Sequence, residues 1–200
     1  MTVATVQAAL AVNANVVQLV NVDVSSPQST AGIVNATNVT AREIGSEGVH
    51  TTILTLSAMP ITVRDAQQGN GVKIYTFPQG KIFRLGADSS MAITTTSDPT
   101  TTLNGGVTCN CGVGSTTQAN ATLATTEQDF VQVGNITASA AQNTAGAVAT
   151  NYGITNVTLL DGSSTAIAAF LNLAVAGATD IDLDATVTVS GTITLHWLKV

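Results

Sequence analysis

Charge is what this chain has least of. Asp, Glu, Lys and Arg together make up 9% of its 200 residues, against roughly 25% in ordinary soluble proteins. A surface so poor in charge is often covered by something else. The net charge is −6, and the few basic side chains are scattered apart from Lys73, Lys81 and Arg84. A phosphate-tracking surface is not expected, which argues against nucleic acid as a partner. Aromatic residues are also few, at 4%. The 44% apolar content therefore comes mainly from Ala, Val, Ile and Leu, interleaved with Thr and Asn. That mixture suits strands and turns rather than helices.

Long apolar runs are missing as well. No stretch of about 20 uninterrupted apolar residues exists to cross a membrane as a helix. The apolar N-terminus "MTVATVQAALAVNANVVQLVNVDV" has no Lys or Arg before Arg42, whereas a signal peptide opens on a basic region. Asn13, Asn15, Gln18 and Asn21 would put repeated amides into lipid. The expectation is a soluble, unprocessed chain without membrane contact. Cysteine is limited to Cys109 and Cys111 in "GGVTCNCGVG", with no His or second Cys pair nearby to complete a four-ligand zinc set. On a strand both would share one face, as two small reduced residues in or near the core. A local disulfide or a metal ligand pair are the alternatives.

What is present is a succession of short β-rich stretches punctuated by turn chemistry. No period of 20 to 50 residues repeats, so a solenoid or propeller is not supported. "SSPQSTAG" at 25 to 32 and "GSEG" at 45 to 48 are breaks. "HTTILTL" (50 to 56) and "PITV" (60 to 63) read as strands. "AQQGNGVK" (66 to 73) reads as a connection in which Gly69, Asn70 and Gly71 take positive φ. "KIYTFPQGKIFRLGA" reads as two strands around a Pro78 to Gly80 turn, and "EQDFVQV" (127 to 133) as a further strand. The Thr, Asn and Gly rich stretch before it suits loops or exposed strands. Residues 135 to 153 read as loop or strand. Asp161-Gly162 marks a turn before the apolar segment ending at Gly177, whose alternation favours a strand over a helix.

The C-terminal "DIDLDATVTVSGTITLHW" alternates most cleanly. Because successive strand side chains point to opposite faces, Ile181, Leu183, Ala185, Val187, Val189, Gly191, Ile193, Leu195 and Trp197 fall on a core face. Asp180, Asp182, Asp184, Thr186, Thr188, Ser190, Thr192, Thr194 and His196 fall on the solvent or partner face. Three carboxylates invite a calcium reading. The EF-hand pattern fails, however, since counting from Asp180 its Gly and Glu positions hold Ala185 and Gly191. Same-face neighbours on an extended strand lie about 7 Å apart, too far for three carboxylates to surround one ion. They are read as a solvated face.

His50 and His196, distant in sequence, could meet in space and do acid-base work with an aspartate. No nucleophile-elbow, metalloprotease or P-loop pattern accompanies them. No catalytic, cofactor-binding or metal-binding residue is assigned, no cofactor is expected, and the chain is read as a non-enzyme. Asn35, Asn38, Asn120, Asn135 and Asn156 each begin an N-x-T triplet, which chance explains in a chain this rich in Asn and Thr.

Many short strands with frequent turns point to an all-β fold: an antiparallel β-sandwich, jelly-roll-like, with an extended N-terminal arm. Residues 1–47 are taken as arm or edge strands and 48–200 as the sandwich, in one globular domain. Three segments, "GVHTTILTLSAMPITV", "KIYTFPQGKIFRLGADSSMAITT" and "FLNLAVAGATDIDLDATVTVSGTITLHWL", together resemble small structural proteins of tailed-bacteriophage virions encoded beside capsid genes. The similarity runs from about Gly48 to the C-terminus, with the middle loops unmatched. It implies a capsid decoration or cement protein that binds the outside of the head and stabilises it. The major capsid protein would be its partner, a homotrimer the favoured assembly and the virion its location after synthesis in the host cytoplasm. A tail- or fibre-associated receptor-binding β-domain is the alternative.

Overall fold

The computed structural model describes residues 32–46, 49–64, 66–95, 108–118, 120–137, 146–151, 157–175 and 184–200. Among these, strand dominates and no α-helix occurs. The strands are β1 (Ile33–Val34), β2 (Val39–Ser46), β3 (Val49–Val63), β4 (Gly69–Thr76), β5 (Gly80–Thr95), β6 (Thr108–Gly114), β7 (Val131–Thr137), β8 (Gly146–Asn151), β9 (Thr158–Gly162), β10 (Ala168–Val175) and β11 (Ala185–Lys199). A 3-10 turn at Thr125–Glu127 precedes β7.

Eight strands pair from the outside of the sequence inward. β3 pairs with β11, β4 with β10, β5 with β8 and β6 with β7, all antiparallel. Two further pairings, β11 with β5 and β10 with β6, join these ribbons side by side. The result is one sheet in the order β1-β4-β10-β6-β7 and another in the order β2-β3-β11-β5-β8, with β9 also on β5. A double ribbon wrapped into two facing sheets is a jelly roll, as the strand patterning leads one to expect. β1 and β2 add one edge to each sheet. Residues 1–31, the rest of the expected arm, lie outside the described residues.

The core lies where the two inner faces meet. From one sheet come Leu54, Ile61, Val187, Val189, Ile193 and Leu195, and from the other Ile74, Val113, Val131, Leu171 and Leu173. Burying each such side chain stabilises the fold by about 1.5–3 kcal/mol. Few as the aromatics are, four meet in the seam. Phe77 lies edge-on to Tyr75 at 5.2 Å and to Trp197 at 5.4 Å, and stacks on Phe130 at 5.3 Å.

β11, flanked by β3 and β5, holds the alternation read from the sequence. Val187, Val189, Ile193, Leu195 and Trp197 are buried, while Ser190 and Thr192 are exposed. Asp184 is exposed just before the strand; Asp180 and Asp182 lie outside the described residues.

Several boundaries differ from the sequence reading. "HTTILTL" and "PITV" form the single strand β3, interrupted by a bulge. Ser57 and Ala58 face Ser190 alone, Ala58 adopts φ 49°, and its N–H donates to Ser190 Oγ at 2.9 Å. Gly191 completes the bulge at φ 138°, where an added Cβ would sit 2.1 Å from the Ser90 carbonyl oxygen. The segment 66–73 is not all connection, because β4 begins at Gly69. Positive φ falls on Gln68 rather than on Gly69, Asn70 or Gly71. Gly71 is needed for space instead: a Cβ there would lie 2.1 Å from Asn172 Oδ1 and 2.7 Å from Thr117 Oγ1. "EQDFVQV" becomes strand only from Val131. Asp161 and Gly162 end β9, and the turn follows them, held by Ser163 N–H and Oγ–H donating to Asp161 Oδ1.

The close approach at Gly71 reflects a loop folded onto the sheet. Residues 115–130 cover the outer side of β10, which explains why β10 is buried on both faces from Leu171 to Val175. Asn172 pins this loop by donating to the carbonyls of Thr116 (2.9 Å) and Glu127 (2.7 Å) and accepting from Gln118 N–H (2.9 Å). All the hydrogen-bonding reach of one buried amide goes into a loop whose Thr and Asn composition suggests surface.

Candidate interaction face

The outer face of the β2-β3-β11-β5 sheet is built from alternate positions of four adjacent strands. β11 supplies Thr186, Thr188, Ser190, Thr192, Thr194 and His196. In register beside Thr192 stand Thr55 on β3 and Ser90 on β5, and beside Thr55 stands Thr40 on β2. Cross-strand hydroxyls bond one another, as Thr62 and Thr186 do at 3.3 Å. β-branching holds threonine to few rotamers, and each hydroxyl both donates and accepts. The face is therefore stiff, rich in hydroxyls and almost uncharged, with Arg42 and Asp88 as its few formal charges and Ile44, Val49, Ile53 and Leu198 as its apolar members at one end.

His196 belongs to this face. Its Nδ1 lies 3.0 Å from Thr51 Oγ1 and its Nε2 3.7 Å from Asp88 Oδ2. His50 belongs to the opposite one. His50 pairs in register with Trp197, and Thr51 with His196, so alternation sends the two imidazoles to opposite sides of the sheet. The sequence left open that they meet around one substrate; they do not.

His50 instead joins a polar cluster in the seam between the sheets. Its ring stacks on Trp197 at 4.1 Å and 11°. Its Nδ1 comes within 2.5 Å of Glu43 Oε1, off the hydrogen-bond direction. Trp197 Nε1–H donates to Thr52 Oγ1 at 2.9 Å, Thr52 hydrogen-bonds the Tyr75 phenol, and Tyr75 donates to Glu43 Oε2 at 3.2 Å. The indole can only donate and the carboxylate can only accept, so the chain runs one way, from Trp197 to Glu43. Burial first, and the Glu43 carboxylate second, push the Tyr75 phenol above its usual range and keep it protonated. Tyr75 lies on β4 and the others on β2, β3 and β11, so the cluster ties one sheet to the other. Sequence reasoning named His50 and the inward Trp197 here; the inward turn of Glu43 on an edge strand carries no local motif.

Among the remaining sequence candidates, Cys111 is buried, consistent with a small core residue. The side chain of Cys109 lies outside the described residues. No group of three or more His, Cys, Asp or Glu is placed to hold a metal ion among the described residues. No described helix is long and apolar enough to cross a membrane.

No protein-family model matches the chain, and no curated protein matches it. Among solved structures, a chain from the structure of infectious bursal disease virus Gt strain overlays with a TM-score of 0.37 and 9% identity. The overlay covers 86% of this chain and 36% of that chain. This chain thus spans about a third of the viral one, and an overlay this loose supports no conclusion about it.

Proposed function

We propose that this chain is a non-enzymatic structural protein of a virus particle, a decoration or cement protein on the outside of a bacteriophage head. The major capsid protein is its partner and a trimer its assembled form. The observation that carries the reading is the stiff, hydroxyl-rich face of β2-β3-β11-β5. A broad neutral face with pre-set rotamers loses little side-chain freedom on docking, and its hydroxyls pair with a partner directly or through water. The jelly roll and the similarity of three segments to phage virion proteins support the same reading.

Assembly has a second means of attachment. Among the described residues β2 pairs with β3 alone along Val39–Ser46, so its other backbone edge can take a further strand. The nearly uncharged first 41 residues, with Asp23 as their one charged side chain, suit such strand exchange between copies. Repetition over a head then converts modest single contacts into stable coverage.

The test is co-sedimentation of the purified protein with phage heads that lack it, counting copies bound at saturation. Saturation at a fixed ratio to the major capsid protein, lost in a Thr55→Glu/Thr192→Glu variant that melts normally, is the expected result. No sedimentation with heads, together with binding to whole host cells, replaces decoration with the receptor-binding reading.

A further inference from the structure

A sandwich core wants apolar side chains, yet one inward position of the six-stranded sheet holds an arginine. Ile82 is fully buried on the inner face of β5, and Arg84, two residues on, shares that face. Of the six basic residues, Arg84 alone is buried, at 8% exposure. β9 continues the same inner face beyond β5: Leu160 pairs with Ile82, and Thr158 with Arg84. Arg84 Nη2 donates to Thr158 Oγ1 at 3.2 Å.

Opposite this shelf runs the segment from the 3-10 turn into β7, with a cleft of about 640 Å³ between them. That lies within the roughly 300–1,000 Å³ of small-molecule sites. Asp129 stands in its wall with both oxygens engaged, Oδ1 by Ser115 N–H at 2.7 Å and Oδ2 by Ser115 Oγ–H at 2.8 Å. Thr125, Thr126, Gln128 and Gln132 complete that side. Leu160 is the apolar patch.

The groups that line the cleft specify its ligand. A guanidinium faces a carboxylate, so the local charge nearly cancels and a multiply charged phosphate gains little. One leucine is too little for a lipid chain. What remains are hydroxyls and primary amides, each with donor and acceptor capacity, around a small apolar surface. We infer that this cleft binds a saccharide unit, an uncharged ring whose hydroxyls each donate and accept and whose C–H face rests on Leu160. Arg84 is the fixed donor at the floor, and the exposed Gln132 amide and Thr125 hydroxyl close over the ring. The inference does not rest on head binding, since the cleft lies on the inner side of the sheet, away from the threonine face.

The experiment is titration of the ¹⁵N-labelled protein with glucose, galactose, mannose and N-acetylglucosamine, read by amide chemical shifts. Saturable shifts confined to residues 125–132 and 158–160, for at least one sugar, are expected. A Gln132→Ala/Thr158→Val variant, checked for an unchanged melting curve, binds that sugar about tenfold more weakly, as the loss of one or two hydrogen bonds requires. Two results overturn the assignment: silence of these amides towards all four sugars, or shifts with sodium acetate or sulfate in place of sugar, which make the cleft an anion site.

Discussion

Thr52→Val removes one oxygen from the middle of the seam cluster and keeps the shape of the side chain. In the native fold Thr52 is fully buried, and its Oγ1 accepts from Trp197 Nε1 while its proton goes to the Tyr75 phenol. Valine does neither. The indole N–H of a tryptophan only 1% exposed is left without an acceptor, at about 1–3 kcal/mol for a buried orphaned donor. Tyr75 loses one partner but still donates to Glu43, which adds about 0.5–1 kcal/mol. The new methyl offsets roughly 0.8 kcal/mol. The net expectation is a loss of about 1–3 kcal/mol in urea unfolding followed by circular dichroism, with the slope against urea unchanged. Thr192→Val on the exposed face is the control and stays within about 0.5 kcal/mol of the parent. A double-mutant cycle with Trp197→Phe, which deletes the same donor, shows a coupling of about 1 kcal/mol or more. If Thr52→Val matches its control, or the cycle shows no coupling, the hydrogen-bond chain does not hold the sheets together and the reasoning fails.

Other perturbations probe the remaining parts of the fold. Val187→Asp places an unpaired charge at a fully buried position and lowers stability by about 3–5 kcal/mol, whereas Thr192→Asp changes it little; equal effects would refute the face assignment. Gly191→Ala forces a side chain onto φ 138° and against Ser90, with a loss of about 1–3 kcal/mol; a melting curve like the parent's would show that the bulge relaxes freely. Asn172→Leu orphans two carbonyls and one N–H beneath loop 115–130, so limited proteolysis should cut that loop first, and uniform protection would argue against pinning by the amide. Burial chiefly raises the Asp129 carboxyl above its ordinary range, against the opposing hydrogen bonds of Ser115. The folded state then holds that proton more tightly than the unfolded state, so Asp129's contribution to stability is greatest at low pH. It falls as pH rises from about 4 through the folded value. The difference in urea midpoint between parent and Asp129→Asn should follow that fall, and a pH-independent difference would contradict it.

The regions where the chain was most readable are those where one rule governs. On β11 the two-residue period meets a core on one side and none on the other, so each residue from Val187 to Trp197 declares its face. The Pro78 to Gly80 turn was legible for the same reason, because proline and glycine act locally. Loop 115–130 was not. Its Thr-rich, polar composition speaks for exposure, and only the long-range contact with Asn172 turns it into a covering layer. The glycines at 69 and 71 misled because glycine answers two demands, positive φ and absence of a Cβ, and sequence alone does not separate them. Here the second demand, set by a loop some fifty residues further on, was the operative one.

Arg84 shows most plainly why the cleft could not be read in advance. If alternation is carried back along β5 from the buried Ile93, Met91, Ser89 and Ala87, the next inward positions are Leu85 and Phe83, with Arg84 turned outward to solvent. That is the ordinary place for arginine, and nothing local objects to it. The register shift opposite His196 and Trp197 inserts one residue and reverses the parity. Leu85 and Phe83 become half-buried, and Ile82 and Arg84 turn inward. A bulge of this kind is set by the partner strand and by the need to bend a long ribbon around a closed sandwich, neither of which is written in the seven residues "KIFRLGA". The reversal that hides the arginine from sequence reasoning is the same one that makes the cleft, for without it the floor between β5 and β9 would be apolar core.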